Sequence, residues 1–180
     1  GAQHAQAFLE ADIDMEGYDS TFKPIGTSSC SFKGRFDGQG HRIKNLHISG
    51  GDYTGLFGVV SGGANISNLI LDSSCSISGA NYVALAGGST GAGRVTFSCV
   101  GNEAPVNASG VNAAGIIGYN RGSTCSFVIS DCYNAADIVG SSESAAISGW
   151  VGTNSELQNC YNIGTVQGYM GFHPVYQVPY

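Results

Sequence analysis

The sequence predicts an all-β, single-domain parallel β-solenoid spanning residues 1–180, and three observations carry that prediction. A short signature returns five times, as Ile43-Lys44-Asn45-Leu46, Ile66-Ser67-Asn68-Leu69, Thr96-Phe97-Ser98-Cys99, Ile129-Ser130-Asp131-Cys132 and Leu157-Gln158-Asn159-Cys160. Its anchor residues lie 23, 30, 33 and 28 positions apart. A period of that size marks stacked repeats, each burying its apolar face only against its neighbours. A second register runs between the anchors and closes on a glycine each time: Tyr53 to Gly58, Tyr82 to Gly87, Asn112 to Gly118 and Ser144 to Gly149. The composition agrees: 28 Gly and only 11% charged residues suit many tight turns and few surface helices. No window beyond the first few residues holds a convincing 3.6-residue period.

The elements follow in order. Phe8 to Met15 alternates apolar and acidic residues, which reads as a strand with one buried face. Pro24-Ile25-Gly26 marks a turn, and Phe32 to Phe36 alternates again. A solenoid end exposes both an apolar face and a pairing edge, so residues 1–40 are expected to form capping strands and 169–180 a C-terminal cap or tail. Residues 41–168 then make up the repeats. In the glycine-terminated register, Leu56, Leu85, Ile116 and Ile147 are uniformly aliphatic and should point inward; Phe57, Ala86, Ile117 and Ser148 vary and should point outward. The glycine falls on the inward face, where a missing Cβ eases a bend or a close approach. A third element follows Cys99, Cys132 and Cys160, and its Asn102, Asn134 and Asn162 are expected in left-handed bends. Three short strands per turn complete the coil.

The run from Phe8 through "FKGRFDGQGHRIKNLHI" to "YTGLFGVVSGGANISNLIL" resembles the GLUG-motif repeat proteins, most closely over residues 8–72 and more loosely to about 168. Phe36-Asp37-Gly38-Gln39-Gly40-His41 and Gly55-Leu56-Phe57-Gly58 carry the resemblance best. It implies a right-handed parallel β-helix, the hand that crossover connections favour in general. It also implies a bacterial protein, secreted or on the cell surface, of adhesin-like kind, in which such repeats are non-catalytic.

Several function classes are disfavoured by the residues present. A net charge of −6 argues against nucleic acid. The longest apolar stretches are a few residues, so this chain is not expected to insert into a membrane. No HExxH or CxxC stands in the sequence, and neither a metal nor another cofactor is expected. Cys99, Cys132 and Cys160 replace Leu46 and Leu69 at the anchor, so free structural thiols are expected in preference to disulfides. Lys23, Lys33, Arg35, Arg42 and Lys44 cluster in sequence, as solvated charge on a capping strand or as a contact for an acidic glycan or a neighbouring domain.

A carbohydrate-active β-helix, lyase-like or glycosidase-like, is the catalytic alternative. It needs paired carboxylates about 5–10 Å apart along a groove, or calcium-holding carboxylates with a basic proton acceptor. After residue 90 the carboxylates Glu103, Asp131, Asp137, Glu143 and Glu156 share no repeat position, and only Arg94 and Arg121 stand as bases. No catalytic residue is assigned. The candidate ligand residues are aromatic: Tyr119 and Trp150, 31 apart, and Tyr133 and Tyr161, 28 apart. Flat rings in rows on a rigid sheet can hold sugar rings, unless loops or the tail cover them. The expected function is that of a monomeric, non-catalytic surface module, an adhesin-like element or spacer, whose partner is a glycan or a host or neighbouring surface protein.

Overall fold

The computed structural model describes residues 4–120, 124–152 and 154–169, and no α-helix forms within them. Among the described residues no helix is long and apolar enough to cross a membrane. All pairings are parallel, and the strands stack in three sheets around one column, a β-solenoid of about five turns. The first sheet runs through Gln6–Phe8, Arg35–Asp37, Asn65–Leu71, Gly93–Asn102, Cys125–Ser130 and Glu156–Gln158. Its register sets Ala7, Phe36, Ile66, Phe97, Ile129 and Leu157 in one line, one residue from each of six rungs. The second sheet aligns Ile48, Ile77, Val106, Ile138 and Val166 in the same way. The third comprises Phe57–Ser61, Ala86–Thr90 and Ile117–Asn120.

The core is the space these sheets enclose. Phe57, Phe97 and Phe127 are its largest fully buried side chains. Each such burial contributes roughly 1.5–3 kcal/mol, and only because the rungs above and below are present. The parallel pairing already runs through residues 6–37, so the first two rungs lie in the region expected to cap the column. Phe8 and Ile13 remain 48% and 37% exposed, contrary to a strand with one buried face, because this first rung has a neighbour on one side only.

The first sheet bends where Asn68, Cys99, Asp131 and Asn159 take left-handed φ of 53°, 53°, 56° and 52°. Asn and Asp tolerate this conformation through local side-chain bonds. That geometry corrects the repeat alignment. Cys99 is the bend residue, exposed, and the buried anchor of its rung is Val100, paired with Leu69. Leu46 is buried but belongs to a different line: His47 pairs with Ser76, which sets Leu46 beside Cys75. The first full coil carries the extra loop Gly38-Gln39-Gly40-His41, and the 23-residue spacing is short because it joins Leu46 to Leu69 where the register sets Leu46 beside Cys75.

Two further expectations are overturned. Phe57, Ala86 and Ile117 are buried in the core, not outward, because the chain turns a corner at this point and consecutive residues such as Leu56 and Phe57 both face inside. Asn102, Asn134 and Asn162 are not left-handed. They form an axial amide ladder: Asn102 Nδ2 donates to Asn134 Oδ1 (2.9 Å) and Asn134 Nδ2 to Asn162 Oδ1 (2.8 Å). Each amide also donates to the carbonyl two residues on, at Ala104, Ala136 and Gly164. The close approach expected at the recurring glycines is real. A Cβ on Gly87 would meet the Tyr53 backbone at 2.5 Å, and one on Gly118 the Tyr82 backbone at 2.9 Å. All six cysteines are free, with Cys75, Cys125, Cys132 and Cys160 buried.

Candidate functional site

The aromatic residues form two columns on different sheets. On the third sheet Val59, Gly88 and Tyr119 share one register position. Trp150 occupies the next, two residues beyond Ser148, which bridges Ile117. Tyr119 and Trp150 do meet, with ring centroids 6.1 Å apart. The column continues toward the N-terminus through Tyr82, 4.5 Å from Tyr119, and Tyr53, 4.8 Å from Tyr82.

These two further rings come from a different place in the coil. Tyr53 and Tyr82 sit at the corner before the strand, with φ of 58° and 59°. From there the Tyr53 ring lies over Gly88, where a Cβ would come within 2.9 Å of the ring carbons. In the next two rungs the strand position supplies the ring, and the corner holds Asn112 and Glu143, which bond to each other at 3.0 Å. The ring source therefore passes from corner to strand while the column stays continuous. The sequence held a signal for this, since Tyr53 and Tyr82 recur 29 residues apart in the glycine-terminated register.

All four rings are half-buried. Tyr82 and Tyr119 are stacked at 26°, so much of each facing surface is covered by its neighbour. A sugar ring needs an open aromatic face, and the interior of this stack offers edges instead.

The second column lies on the first sheet. Tyr133 and Tyr161 are stacked at 9° with centroids 5.3 Å apart, as their spacing predicted. The Tyr133 ring occupies the space over Gly101, where a Cβ would lie 2.3 Å from it. Its hydroxyl donates to Glu103 Oε1 at 2.7 Å, and Arg42 binds Glu103 through both its terminal nitrogens (2.7 and 3.1 Å) and Asp72 at 2.7 Å. Burial, then the bond to Glu103, pushes the Tyr133 phenol up. The Arg42 guanidinium holds Glu103 below the usual carboxylate range, and the Ser74 backbone N–H, with Arg42, does so for Asp72. Tyr161 is 42% exposed and caps this stack.

The carboxylates and bases that a carbohydrate-active site would need are engaged along the column. Asp131 accepts from Asn159, Asp137 from Thr165, Glu143 from Asn112, and Arg94 stands 3.6 Å from Glu156. Arg35 pairs with Asp37 and Lys44 with Asp12, which disperses most of the basic cluster into ion pairs. Arg121 and nearly all of the 169–180 tail lie outside the described residues. Every carboxylate with a resolved shift is lowered: Asp12, Asp14, Asp37, Asp72, Glu103 and Asp137. A glycosidase acid must hold a proton near neutral pH, and these groups are set the opposite way. Among the described residues no group of three or more His, Cys, Asp or Glu is placed to hold a metal ion. An open depression of about 420 Å³ lies over the first-sheet bend, lined by Asp37, Gln39, Gly40, Asn68, Ile70 and Cys99. Asn68, the Gln39 N–H and Arg35 all bind its Asp37 carboxylate.

The fold and its axial columns define a β-solenoid repeat protein. No family model matches the chain. It is similar to Halomucin of Haloquadratum walsbyi, 36% identical over 94 residues, which are 46% of this chain and 1% of Halomucin. It is also similar to a "Putative Gly-rich membrane protein" of Evansella cellulosilytica, 36% identical over 69 residues, 35% of this chain and 8% of that protein. The chain thus spans a small fraction of the relatives it matches. Among solved structures, a "putative immunoglobulin A1 protease" from Bacteroides ovatus aligns over 93% of this chain and 72% of its own, at 18% identity and a TM-score of 0.46.

Proposed function

We propose that this chain is a non-catalytic β-solenoid segment of a secreted or surface protein, an adhesin-like spacer that holds other parts of its host at a distance. The single observation that carries the reading is where the polar side chains go. Asn45 to Asp14, Asn68 to Asp37, Asn81 to Asp52, Ser89 to Asn120, Asn102 to Asn134 and Asn159 to Asp131 each join residues 28 to 32 apart, one rung to the next. Groups that could serve chemistry instead bind the column together along its axis. The GLUG resemblance supports a bacterial surface setting, and one relative is named a membrane protein.

The glycan-binding reading narrows under this geometry. Stacked rings leave Tyr161 as the exposed aromatic at the end of its column. The test is a titration with a panel of host and plant polysaccharides, following Trp150 emission, with reducing ends assayed in the same tubes. A spacer gives no saturable change and no new ends. New reducing ends would overturn the non-catalytic reading. Saturable quenching abolished by Tyr161→Ala would make the module a glycan binder.

A further inference from the structure

The first-sheet anchor column changes chemistry along its length. It holds Leu69 and Val100, then Cys132 and Cys160. The earlier rungs fill the same place with aliphatics, so volume alone does not call for sulfur. Ser130 pairs with Gln158 and Tyr133 with Tyr161, which sets Cys132 directly beside Cys160 on the neighbouring rung. Adjacent strands lie roughly 4.7–4.9 Å apart, within the approximate 4.4–6.8 Å Cα separation that a disulfide spans.

The thiols already converge. Both belong to the buried core, on neighbouring rungs of the same line. Cys132 Sγ donates to Ser130 O (3.1 Å), while Cys160 Sγ reaches Gln158 O (3.3 Å) and Ile129 O (3.6 Å). The other buried cysteines, Cys75 and Cys125, have no such partner thiol among these contacts.

We propose that Cys132 and Cys160 are a latent disulfide, closed by oxidants of the peroxide class, that staples the last two described rungs together. The proposal is independent of the spacer reading. Cys160 keeps 9% exposure and Cys132 none, so attack begins at Cys160. The contact with Cys132 lowers the Cys160 thiol and raises Cys132, which favours the thiolate at the more exposed of the two. That thiolate attacks the peroxide, the O–O bond breaks, and a sulfenic acid forms as water or alcohol leaves. The Cys132 sulfur then attacks the sulfenic sulfur, the S–S bond forms, and the hydroxyl departs with the Cys132 proton as water. Two electrons pass from the thiol pair to the peroxide.

The test uses the full chain with the exposed thiols removed as Cys30→Ser and Cys99→Ser. It is treated with hydrogen peroxide, unfolded, alkylated, and mapped without reduction. The expected result is a Cys132–Cys160 linked peptide, with Cys75 and Cys125 still alkylated. Proteolysis of the 154–169 segment should slow severalfold and recover on reduction. A Cys132→Val variant, matching Val100, keeps the column filled and should lose both the linked peptide and the slowing. The proposal is overturned if Cys132 and Cys160 both remain alkylatable, or if Cys160 runs on to the sulfinic acid while Cys132 stays free.

Discussion

One inner line of the first sheet contrasts the two halves of the molecule. In the first three rungs it reads Ile13, Ile43, Leu71; in the last three, Asn102, Asn134, Asn162. The backbone register is continuous across the change. The aliphatic half is held by burial, which is non-directional and tolerates changes of shape at about 1–2 kcal/mol. The amide half is held by directed bonds, each of which strands a buried partner when broken. The junction shows this directly: Asn102 Oδ1, next to Leu71 in the line, has no hydrogen-bond partner. Other lines change in parallel, from Leu69 and Val100 to Cys132 and Cys160, and from corner tyrosines to Tyr119 and Trp150. A solenoid can therefore be built rung by rung with either chemistry, and the two halves should fail differently.

Substitution along that line gives the largest effects. Asn134→Leu removes the acceptor for Asn102 and the donor to Asn162 and Ala136. At about 1–3 kcal/mol per stranded group, the loss should reach roughly 3–5 kcal/mol in urea unfolding. Leu71→Ala opens a cavity and should cost about 2–5 kcal/mol, with a similar-sized side chain restoring most of it. Leu71→Asn should cost less than Asn134→Leu, because its amide can donate to the orphaned Asn102 oxygen. If Asn134→Leu proves milder than Leu71→Asn, the contrast between the halves is wrong.

Smaller effects test the outer columns. Tyr133→Phe deletes one bond to an ionised carboxylate and should cost about 1.5–3 kcal/mol, discounted toward the lower end by partial exposure. Part of the acid response should come from the Arg42 cluster. Glu103 and Asp72 titrate below their ordinary values in the folded chain. Their contribution is therefore complete above about pH 4.5, the unfolded range, and fades as pH falls through the lowered folded values. Urea midpoints measured from pH 6 down to 3.5 should drop, and Arg42→Met should flatten that drop. An unchanged slope in the variant would place the acid sensitivity elsewhere.

The fold was legible because its evidence is periodic: three registers returned at rung spacing, and a stacked column is what such a period requires. The register was less legible. Gly38-Gln39-Gly40-His41 lengthens one coil, and Cys99 followed by Val100 offers two anchors of which only burial chooses one. The pairs Tyr119 with Trp150 and Tyr133 with Tyr161 were readable from spacing alone. Tyr53 and Tyr82 were missed as ring sources because they stand at the corner, a different place in the coil from Tyr119, and only three-dimensional packing over Gly88 brings them into line. The asparagine ladder had a signal that propensity obscured. Asn102, Asn134 and Asn162 repeat at rung spacing, which favours stacking of amides as much as it favours bends.

Side chains bind rung to rung along the axis, and single-molecule pulling from the two ends probes that binding. Each rung holds about 30 residues, so peeling one should release roughly 10 nm of chain at about 3.3–3.6 Å per residue. A series of such steps is expected, with Asn134→Leu lowering the force of those from the amide half and sparing the rest. A single indivisible event, or an Asn134→Leu trace identical to the wild type, would contradict it.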